Sequence, residues 1–407
     1  MRRLARVVST IGAGLALVAA ASAPASAARW HYETLDGNST VGGRLNADVG
    51  QFSSVVLFGG QPHVFFRDVD HGDLRHAWWN GVQWSFETLD GNANDPSGRI
   101  DADVGTDAKS VLYGGQPHVF YYDVDHGDLR HAWWNGVQWS FETLDGNAND
   151  PSGRINADVG SDGAVALYGG LPHVWYYDVT NGDLRHAWWN GVKWNFETLD
   201  GNSTAGGRVN ANVGQYVGAT LYGGLPHVWY YDDGATTLRH AWWTGAGWAF
   251  EVLDGQGGAN GQVNEAVGSD SAVALDGGQP HVFYYDIDGG DLRHAWWTGA
   301  QWNFETLDGN SIAGGRVNGD VGQYPVVHLY GGQPHVYYRD STGADLRHAW
   351  WTGADWGYET LDGNRSDSSG RINGDVGMDG ALTLYGTGPH VWYYDGTSGD
   401  LRHAWYS

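Results

Sequence analysis

Arginine and glutamate recur along this chain at a fixed spacing, close to tryptophan, and these residue types could carry chemistry. An arginine is the second residue of every Leu-Arg-His-Ala-Trp string, and in six of the seven copies a glutamate follows at the same distance along the chain, as from Arg75 to Glu87. A guanidinium donates hydrogen bonds and a carboxylate accepts them, so the two together can hold neighbouring hydroxyl groups. A flat indole such as that of Trp79 can cover the apolar C–H face of a sugar ring. The pattern therefore predicts a repeated sugar-binding site.

Each candidate site combines the arginine, the second tryptophan after it and the glutamate. The candidates are Arg75, Trp79, Glu87, Arg130, Trp134, Glu142, Arg185, Trp189, Glu197, Arg239, Trp243, Glu251, Arg293, Trp297, Glu305, Arg347, Trp351 and Glu359, with Arg402 and Glu33 where the chain ends meet. In the last copy Tyr406 replaces the second tryptophan. A three-residue hairpin loop, Asn80-Gly81-Val82, places Arg75 and Glu87 on one face, whereas a two-residue turn separates them. A structural ion pair beside core tryptophan is the alternative.

These residues belong to a unit that is repeated along the chain after residue 27. The Leu-Arg-His-Ala-Trp string begins at Leu74, Leu129, Leu184, Leu238, Leu292, Leu346 and Leu401, at a nearly constant period. In the second unit, four runs rich in β-forming residues alternate with turn residues: 110–113, 118–122, 129–134 and 139–144. No run carries the apolar stripe of a helix. Four short strands at this period are typical of a β-propeller blade.

The two ends of the repeat region predict a closed ring. The chain stops after a third strand at Ser407, and the region after residue 27 begins with a lone fourth strand, 30–35. Together these fragments complete a seventh blade, whereas an open solenoid would need capping repeats. We therefore expect an all-β fold over residues 28–407: a seven-bladed β-propeller with four antiparallel strands per blade, its last blade closed by the N- and C-terminal strands.

The segment 1–27 has the pattern of a secretory signal peptide. Arg2, Arg3 and Arg6 precede an apolar run, 11–21, and Ala25-Ser26-Ala27 has the small residues that a signal peptidase accepts. A retained anchor helix is the alternative, which the shortness of the run disfavours. We therefore expect residues 1–27 to be removed and the protein to be secreted to the extracellular space.

Charge and composition exclude several classes of partner. The formal net charge is −25, and nucleic acids and anionic membranes both favour basic surfaces, so we expect neither nucleic-acid binding nor membrane insertion. There is no cysteine, which removes disulfides, thiol catalysis and cysteine-bound metals. No nucleotide-binding or metalloprotease string occurs. The sequence thus predicts no cofactor.

Histidines and acidic turns could in principle bind metal. Fourteen of the 18 histidines lie at two repeat positions, in Pro-His-Val and Arg-His-Ala. We interpret them as core histidines bonded to a carbonyl or a turn aspartate. The turns Asp68–Asp73 and Asp123–Asp128 are rich in oxygen ligands, as calcium loops are, but hairpin turns use the same residues for backbone reasons. We therefore expect no metal site.

The uniformity of the repeat favours binding over catalysis. A catalytic site needs an asymmetric set of groups with separated pKa values, and near-identical blades offer equivalent surfaces instead. The sequence predicts that the chain is not an enzyme but a multivalent binder, since linked weak sites gain avidity. A pore-centred site of variable inner-strand residues is the remaining enzymatic alternative. A protein-binding scaffold, or the targeting subunit of a larger secreted assembly, is the alternative within the binding class.

Seven aromatic-rich blades closed by the chain ends resemble the bacterial PLL-type β-propeller lectins. The pairing of Arg75 with Glu87, like its equivalents in the other copies, is similar to the repeat of fucose-specific propeller lectins, in which an arginine, a glutamate and an aromatic residue hold the sugar between blades. The resemblance covers 28–407 as architecture, and the fucose-specific group has six blades. It implies a lectin for fucosylated or other cell-surface glycans, with a secreted protein as the alternative partner.

Overall fold

The computed structural model describes residues 28–407, and the expected signal peptide, residues 1–27, lies outside them. The chain forms seven separate four-stranded antiparallel sheets arranged in a ring. This confirms the predicted seven-bladed β-propeller. Within residues 28–407, no helix is long and apolar enough to cross a membrane.

Each blade runs from an inner strand at the ring's centre to an outer strand at its rim. The seven inner strands are β2 (Val49–Phe58), β6 (Val104–Tyr113), β10 (Val159–Tyr168), β14 (Val213–Tyr222), β18 (Val267–Asp276), β22 (Val321–Tyr330) and β26 (Val376–Tyr385). The second strands are β3 (Gln61–Asp68), β7 (Gln116–Asp123), β11 (Leu171–Asp178), β15 (Leu225–Asp232), β19 (Gln279–Asp286), β23 (Gln333–Asp340) and β27 (Gly388–Asp395).

The Leu-Arg-His-Ala-Trp strings form the third strands, and the Glu-Thr-Leu-Asp strings form the outer ones. The third strands are β4 (Asp73–Trp79), β8 (Asp128–Trp134), β12 (Asp183–Trp189), β16 (Thr237–Trp243), β20 (Asp291–Trp297), β24 (Asp345–Trp351) and β28 (Asp400–Tyr406). The outer strands are β1 (Trp30–Asp36), β5 (Trp84–Asp90), β9 (Trp139–Asp145), β13 (Trp194–Asp200), β17 (Trp248–Asp254), β21 (Trp302–Asp308) and β25 (Trp356–Asp362).

Blades 1 to 6 are the consecutive sets β2–β5, β6–β9, β10–β13, β14–β17, β18–β21 and β22–β25, and blade 7 is β26, β27, β28 and β1. The N-terminal strand β1 pairs antiparallel with the C-terminal strand β28, from Trp30 opposite Tyr406 to Asp36 opposite Leu401. Blade 7 is therefore assembled from both ends of the described chain, as the sequence predicted. Closing the ring in this way leaves no open end that needs a cap.

The turns explain why the sequence folds into short strands. Gly59 and Gly60 join β2 to β3 with φ of 60° and 74°, the left-handed conformation that a two-residue hairpin turn requires. The same Gly-Gly pair recurs at this position in most blades, for example at Gly169 and Gly170. Connectors between blades contain short 3-10 turns at Val41–Gly43, Ala205–Gly207 and Ala313–Gly315.

The core lies between blades rather than within one. One buried cluster combines Phe65 and Leu74 of blade 1 with Val104, Tyr121 and Phe141 of blade 2. Because each sheet is a single layer, its apolar side chains can be buried only against the neighbouring sheet. Any residue at a blade interface is therefore positioned by two blades, and this governs the candidate site.

Candidate functional site

The third hairpin of blades 1 to 6 has a four-residue loop, and this overturns the expected arrangement of the candidate residues. In blade 3, β12 ends at Trp189 and β13 begins at Trp194, so 190–193 form the loop. Arg185 consequently lies opposite Thr198, and His186 lies opposite Glu197. The expectation that arginine, second tryptophan and glutamate of one blade share a face is wrong. An even-numbered loop reverses the relative direction of every side chain on the returning strand.

Each blade therefore has a glutamate face and an arginine face. In blade 3 the glutamate face carries His186, Trp188, Asn195 and Glu197, and the opposite face carries the arginine and the second tryptophan. The indole of Trp248 in blade 4 donates a hydrogen bond to Glu197, so the glutamate face of one blade meets the arginine face of the next. Glutamate and tryptophan thus meet across an interface between two blades rather than within one.

The strand arginines are buried and serve as clamps between blades. Arg185 is 2% exposed, and its Nε and Nη2 lie 3.0 and 2.9 Å from Oδ2 of Asp145 in blade 2. Its Nη1 donates to Thr198 and its Nη2 to the carbonyl of Gly153. The equivalent pairs are Arg75–Asp36, Arg130–Asp90, Arg239–Asp200, Arg293–Asp254, Arg347–Asp308 and Arg402–Asp362.

The buried position of the strand arginines corrects both interpretations of the repeated arginine and glutamate, the sugar site and the ion pair within one hairpin. A side chain that is sealed from solvent and fully engaged by protein groups cannot reach a ligand, so the strand arginines leave the candidate binding set. The structural alternative expected an ion pair between the two strands of one hairpin, but the acidic partner is the aspartate that ends the outer strand of the preceding blade.

The glutamates remain accessible. The side chain of Glu197 is 36% exposed, and those of the other six glutamates are between 35% and 40% exposed. Oε1 of Glu197 accepts hydrogen bonds from Nδ1 of His186 at 2.9 Å and from Nε1 of Trp248 at 3.3 Å. One carboxylate oxygen is therefore held by both blades, while the half-exposed group can still accept hydrogen bonds from a bound molecule.

A different arginine lies beside this glutamate. Arg208, in the connector between blades 3 and 4, lies over the ring of Phe250 with its guanidinium carbon 5.7 Å from the centroid. Burial raises the pKa of Glu197, but the hydrogen bonds from His186 and Trp248 and the charge of Arg208 outweigh it and lower that pKa. Arg44, Arg316 and Arg371 act in the same way on Glu33, Glu305 and Glu359.

The sequence contained a signal for these connector arginines. Arg44, Arg99, Arg154, Arg208, Arg316 and Arg371 recur in the Gly-Arg segment that follows each outer strand, with Gln262 in the remaining copy. By its sequence alone, this segment is a connector that leads into the next inner strand. Its return toward the glutamate is a tertiary feature, which spacing along the chain does not specify.

Indoles surround the glutamate on both sides. Trp188 stacks on His186 on the glutamate face of blade 3, with ring centroids 5.0 Å apart and planes 19° apart. In blade 4, Trp243 packs edge-on against Trp248 at 5.7 Å. The indoles of Trp188, Trp243 and Trp248 are half-buried. The interblade site 3/4 is therefore Glu197, Trp188, Asn195, Arg208, Trp243 and Trp248.

The candidate glutamates and second tryptophans thus combine across neighbouring blades. The link is the outer-strand tryptophan, which lies opposite the second tryptophan or Tyr406 of its own blade and packs on the histidine next to the glutamate of the preceding blade. The sets are Glu33 with Trp79, Glu87 with Trp134, Glu142 with Trp189, Glu197 with Trp243, Glu251 with Trp297, Glu305 with Trp351, and Glu359 with Tyr406. The residue beside the first tryptophan varies between copies, from His31, which stacks on Trp405, to Gly357, against which Trp350 lies closely.

The repeated histidines of the third strands are buried, those of the second strands are half-buried apart from the buried His173, and their partners differ from those expected. Nδ1 of His173 lies 2.9 Å from Nε2 of His186, whose Nδ1 in turn contacts Glu197. They bond to each other and to glutamate rather than to a carbonyl or a turn aspartate. In the acidic turns, Asp68 binds the backbone and ring of His71 in its own turn. Within residues 28–407, no group of three His, Asp or Glu side chains is placed to hold a metal ion.

The central channel breaks the sevenfold uniformity. A cavity of about 430 Å³ is lined by one inner-strand residue of each blade at the same position: Phe52, Asp107, Asp162, Tyr216, Asp270, Tyr324 and Asp379. All seven have φ between 51° and 54°, although none is glycine. Burial, and then repulsion from Asp107, raises the pKa of Asp162 to about 7, and burial with Asp379 raises that of Asp270 to about 7.

Comparison with known proteins supports the fold alone. No protein-family profile matches the chain, and no curated protein is significantly similar to it. YCF48 from Cyanidioschyzon merolae is 10% identical with a TM-score of 0.52, covering 92% of this chain and 98% of its own. The fucose-specific lectin from Aleuria aurantia is 20% identical with a TM-score of 0.47, covering 78% and 99%. The NanB sialidase from Streptococcus pneumoniae is 12% identical with a TM-score of 0.40, covering 88% and 68%.

These structures correct the expectation that the chain is not an enzyme. Besides the sialidase, the similar propellers include a family-43 glycoside hydrolase and a puromycin-hydrolyzing peptidase. The inference from uniformity also fails on this chain itself, because the central channel carries an asymmetric ring of aspartates and aromatic residues.

Proposed function

We propose that this chain is a secreted, multivalent carbohydrate-binding protein whose sites lie between neighbouring blades. One observation carries the proposal: every blade interface presents a half-exposed carboxylate next to indole rings from both blades. A carboxylate accepts hydrogen bonds from hydroxyl groups, and an indole covers the apolar face of a pyranose.

The site 3/4 illustrates the expected contacts. Glu197 would accept hydrogen bonds from sugar hydroxyls, and Arg208 would supply donors from the connector side. Trp188 and Trp243 belong to facing sheet surfaces and would border the ring. Asn195 occupies the variable position beside Trp188, where a change of residue would alter the affinity of individual sites.

Secretion and the kind of glycan are parts of the same proposal. The basic start, apolar run and small residues of 1–27 support export. The resemblance to PLL-type and fucose-specific propeller lectins makes fucosylated and other cell-surface glycans the first ligands to examine. Seven linked sites would raise the avidity for a surface bearing many copies of a weakly bound sugar.

A glycan array followed by calorimetry with free monosaccharide tests the proposal. We expect binding to a defined set of glycans, competed by the free sugar. Glu197→Gln should remove one site from the binding stoichiometry, because the neutral amide is a weaker acceptor. Glu265→Gln is the matched control, since Glu265 is the one exposed glutamate outside the repeat string.

The proposal fails if no glycan binds, or if Glu197→Gln leaves the stoichiometry of a bound glycan unchanged. Recovery of a specific protein in place of a glycan would support the scaffold function instead.

A further inference from the structure

Fourteen histidines form seven hydrogen-bonded chains that end on the glutamates of the interblade sites. Each chain runs from the histidine of a second strand to the histidine of the third strand and on to the glutamate of the outer strand. The seven chains are His390–His403–Glu33, His63–His76–Glu87, His118–His131–Glu142, His173–His186–Glu197, His227–His240–Glu251, His281–His294–Glu305 and His335–His348–Glu359.

The geometry of one histidine chain determines the position of one proton and leaves two possibilities for the other. In blade 3, the two contacts, His173 Nδ1 to His186 Nε2 and His186 Nδ1 to Glu197 Oε1, are both 2.9 Å. A carboxylate only accepts, so Nδ1 of His186 carries a proton and donates it to Glu197. One proton lies between the two rings, and it belongs to His186 only if that ring is a cation.

Burial determines which of the two rings carries the proton that lies between them. It lowers the pKa of His173 to about 3 and also lowers that of His186, so both rings are neutral near pH 7. A neutral His186 that donates from Nδ1 has a bare Nε2, which must accept from Nδ1 of His173. Both hydrogen bonds therefore point toward the glutamate.

The ring of His186 is also held in place by stacking. It lies between Trp175, with centroids 5.1 Å apart and planes 6° apart, and Trp188, with centroids 5.0 Å apart. The ring cannot rotate without disrupting both contacts. The direction from which Glu197 receives its hydrogen bond is thereby fixed by two indoles, one of which belongs to the interblade site.

We propose that the paired histidines are positioning residues, which hold each interblade glutamate as an ionised acceptor in one orientation. The proposal rests on the proposed function, because the glutamate is the group that would meet the sugar hydroxyls. With Oε1 occupied by His186 and Trp248, Oε2 of Glu197 is the oxygen left for the ligand. The ionisable groups that face Glu197 are His186, from its own blade, and Arg208, from the connector.

Binding should therefore persist in moderately acidic solution as long as the histidine chain is intact. Without the donor on His186, Glu197 would keep its burial but lose a hydrogen bond to its charged form. Its pKa should then rise, by about one unit, and the carboxyl should also become free to rotate.

The test follows the carboxyl directly by 13C NMR of the full chain labelled at glutamate. His186→Phe keeps an aromatic ring for the stack but removes both ring nitrogens. His186→Asn retains an amide donor near the position of Nδ1. We expect the titration midpoint of Glu197, assigned through Glu197→Gln, to rise in His186→Phe and to return toward the original value in His186→Asn. Glu265 serves as the internal control and should not move.

The unmutated protein provides a second measurement in case a variant fails to fold. Long-range 1H–15N spectra at pH 7 should show the fourteen chain histidines as neutral rings protonated at Nδ1. Rings protonated at Nε2, or an unchanged Glu197 midpoint in a folded His186→Phe, would overturn the histidine proposal even if glycans bind. Absence of glycan binding with the expected NMR results would overturn the lectin function and leave the histidine chain as a device that holds the carboxylate.

Discussion

Arg185 in blade 3 and Asp145 in blade 2 form an ion pair that is buried at the junction between their blades, with Nη2 and Oδ2 2.9 Å apart. Asp145 also accepts a hydrogen bond from the hydroxyl of Tyr176 at 2.6 Å. The invariance of the strand arginine is thus explained by ring assembly, since the same pair joins every two neighbouring blades.

Replacing one member of this pair should destabilise the propeller. Arg185→Met leaves Asp145 charged and buried, which typically costs about 3–5 kcal/mol, so we expect a clear drop in the denaturant midpoint. The double change Arg185→Met with Asp145→Leu should recover part of that loss. Arg365→Ala, at an exposed ion pair, is the control and should change stability by less than about 0.5 kcal/mol. A single variant as stable as the unmutated chain would contradict the clamp.

Removing the N-terminal strand should open the ring. Deletion of residues 28–36 removes β1, including Asp36, the partner of Arg75, and Thr34, which accepts a hydrogen bond from Arg402. We expect the truncated chain to lose cooperative thermal unfolding measured by tryptophan fluorescence. A synthetic peptide of residues 28–40 should restore it in a concentration-dependent way, because bound strand stabilises the folded state by mass action. Unchanged unfolding of the truncated chain would refute closure by β1.

The aspartates of the central channel should contribute more to stability at pH 5 than at pH 8, which is opposite in sign to the contribution of the paired histidines, whose pKa burial lowers. Folding raises the pKa of Asp162 and Asp270 to about 7 and that of Asp379 to about 6, chiefly through burial, whereas unfolded aspartate has a pKa of about 3.9. Between these values each of these aspartates binds more protons in the folded state than in the unfolded state, so its contribution to stability decreases as the pH rises through this window.

Asp270→Asn should therefore gain stability relative to the unmutated chain as the pH rises from 5 to 8, measured as the difference in denaturant midpoint at each pH. Asp101→Asn is the matched control, because Asn156 naturally occupies the same place in the next repeat and Asp101 is exposed. The explanation would be wrong if both variants followed the pH profile of the unmutated chain.

The site between blades 4 and 5 should bind glycan more weakly than the others. There Gln262 takes the place of the connector arginine, and its Nε2 donates to the carbonyl of Leu253. We expect Gln262→Arg to strengthen this site and Arg208→Gln to weaken site 3/4, by about 1.5–3 kcal/mol each if a charged hydrogen bond to the ligand is gained or lost. Calorimetric stoichiometry and affinity would measure both. Unchanged affinity at both sites would exclude a ligand role for the connector arginine.

The repeated strings were sufficient to predict the ring and its closure. The turn glycines and the division of the seventh blade between the chain ends are local or periodic features, and both appear in the structure. The inner strand of the second unit was predicted too short, since it covers Val104–Tyr113 rather than 110–113. The candidate site was predicted only in part, because Glu197 and Trp243 meet across two blades. Arg185, which was expected to contact a sugar, is a buried clamp between blades, and no spacing within one repeat distinguishes such a residue from one that is accessible at the interface.

The sequence by itself determined the number of blades, the order of strands and the residue types available at each interface, because these follow from period and alternation. Only the tertiary structure decided which side chains share a surface. Because the hairpin loop has four residues instead of three, every side chain of the outer strand points to the other face of the sheet. The meeting of Glu197, Arg208 and Trp248 further depends on how one sheet packs on the next, which is set by contacts between residues far apart in the chain.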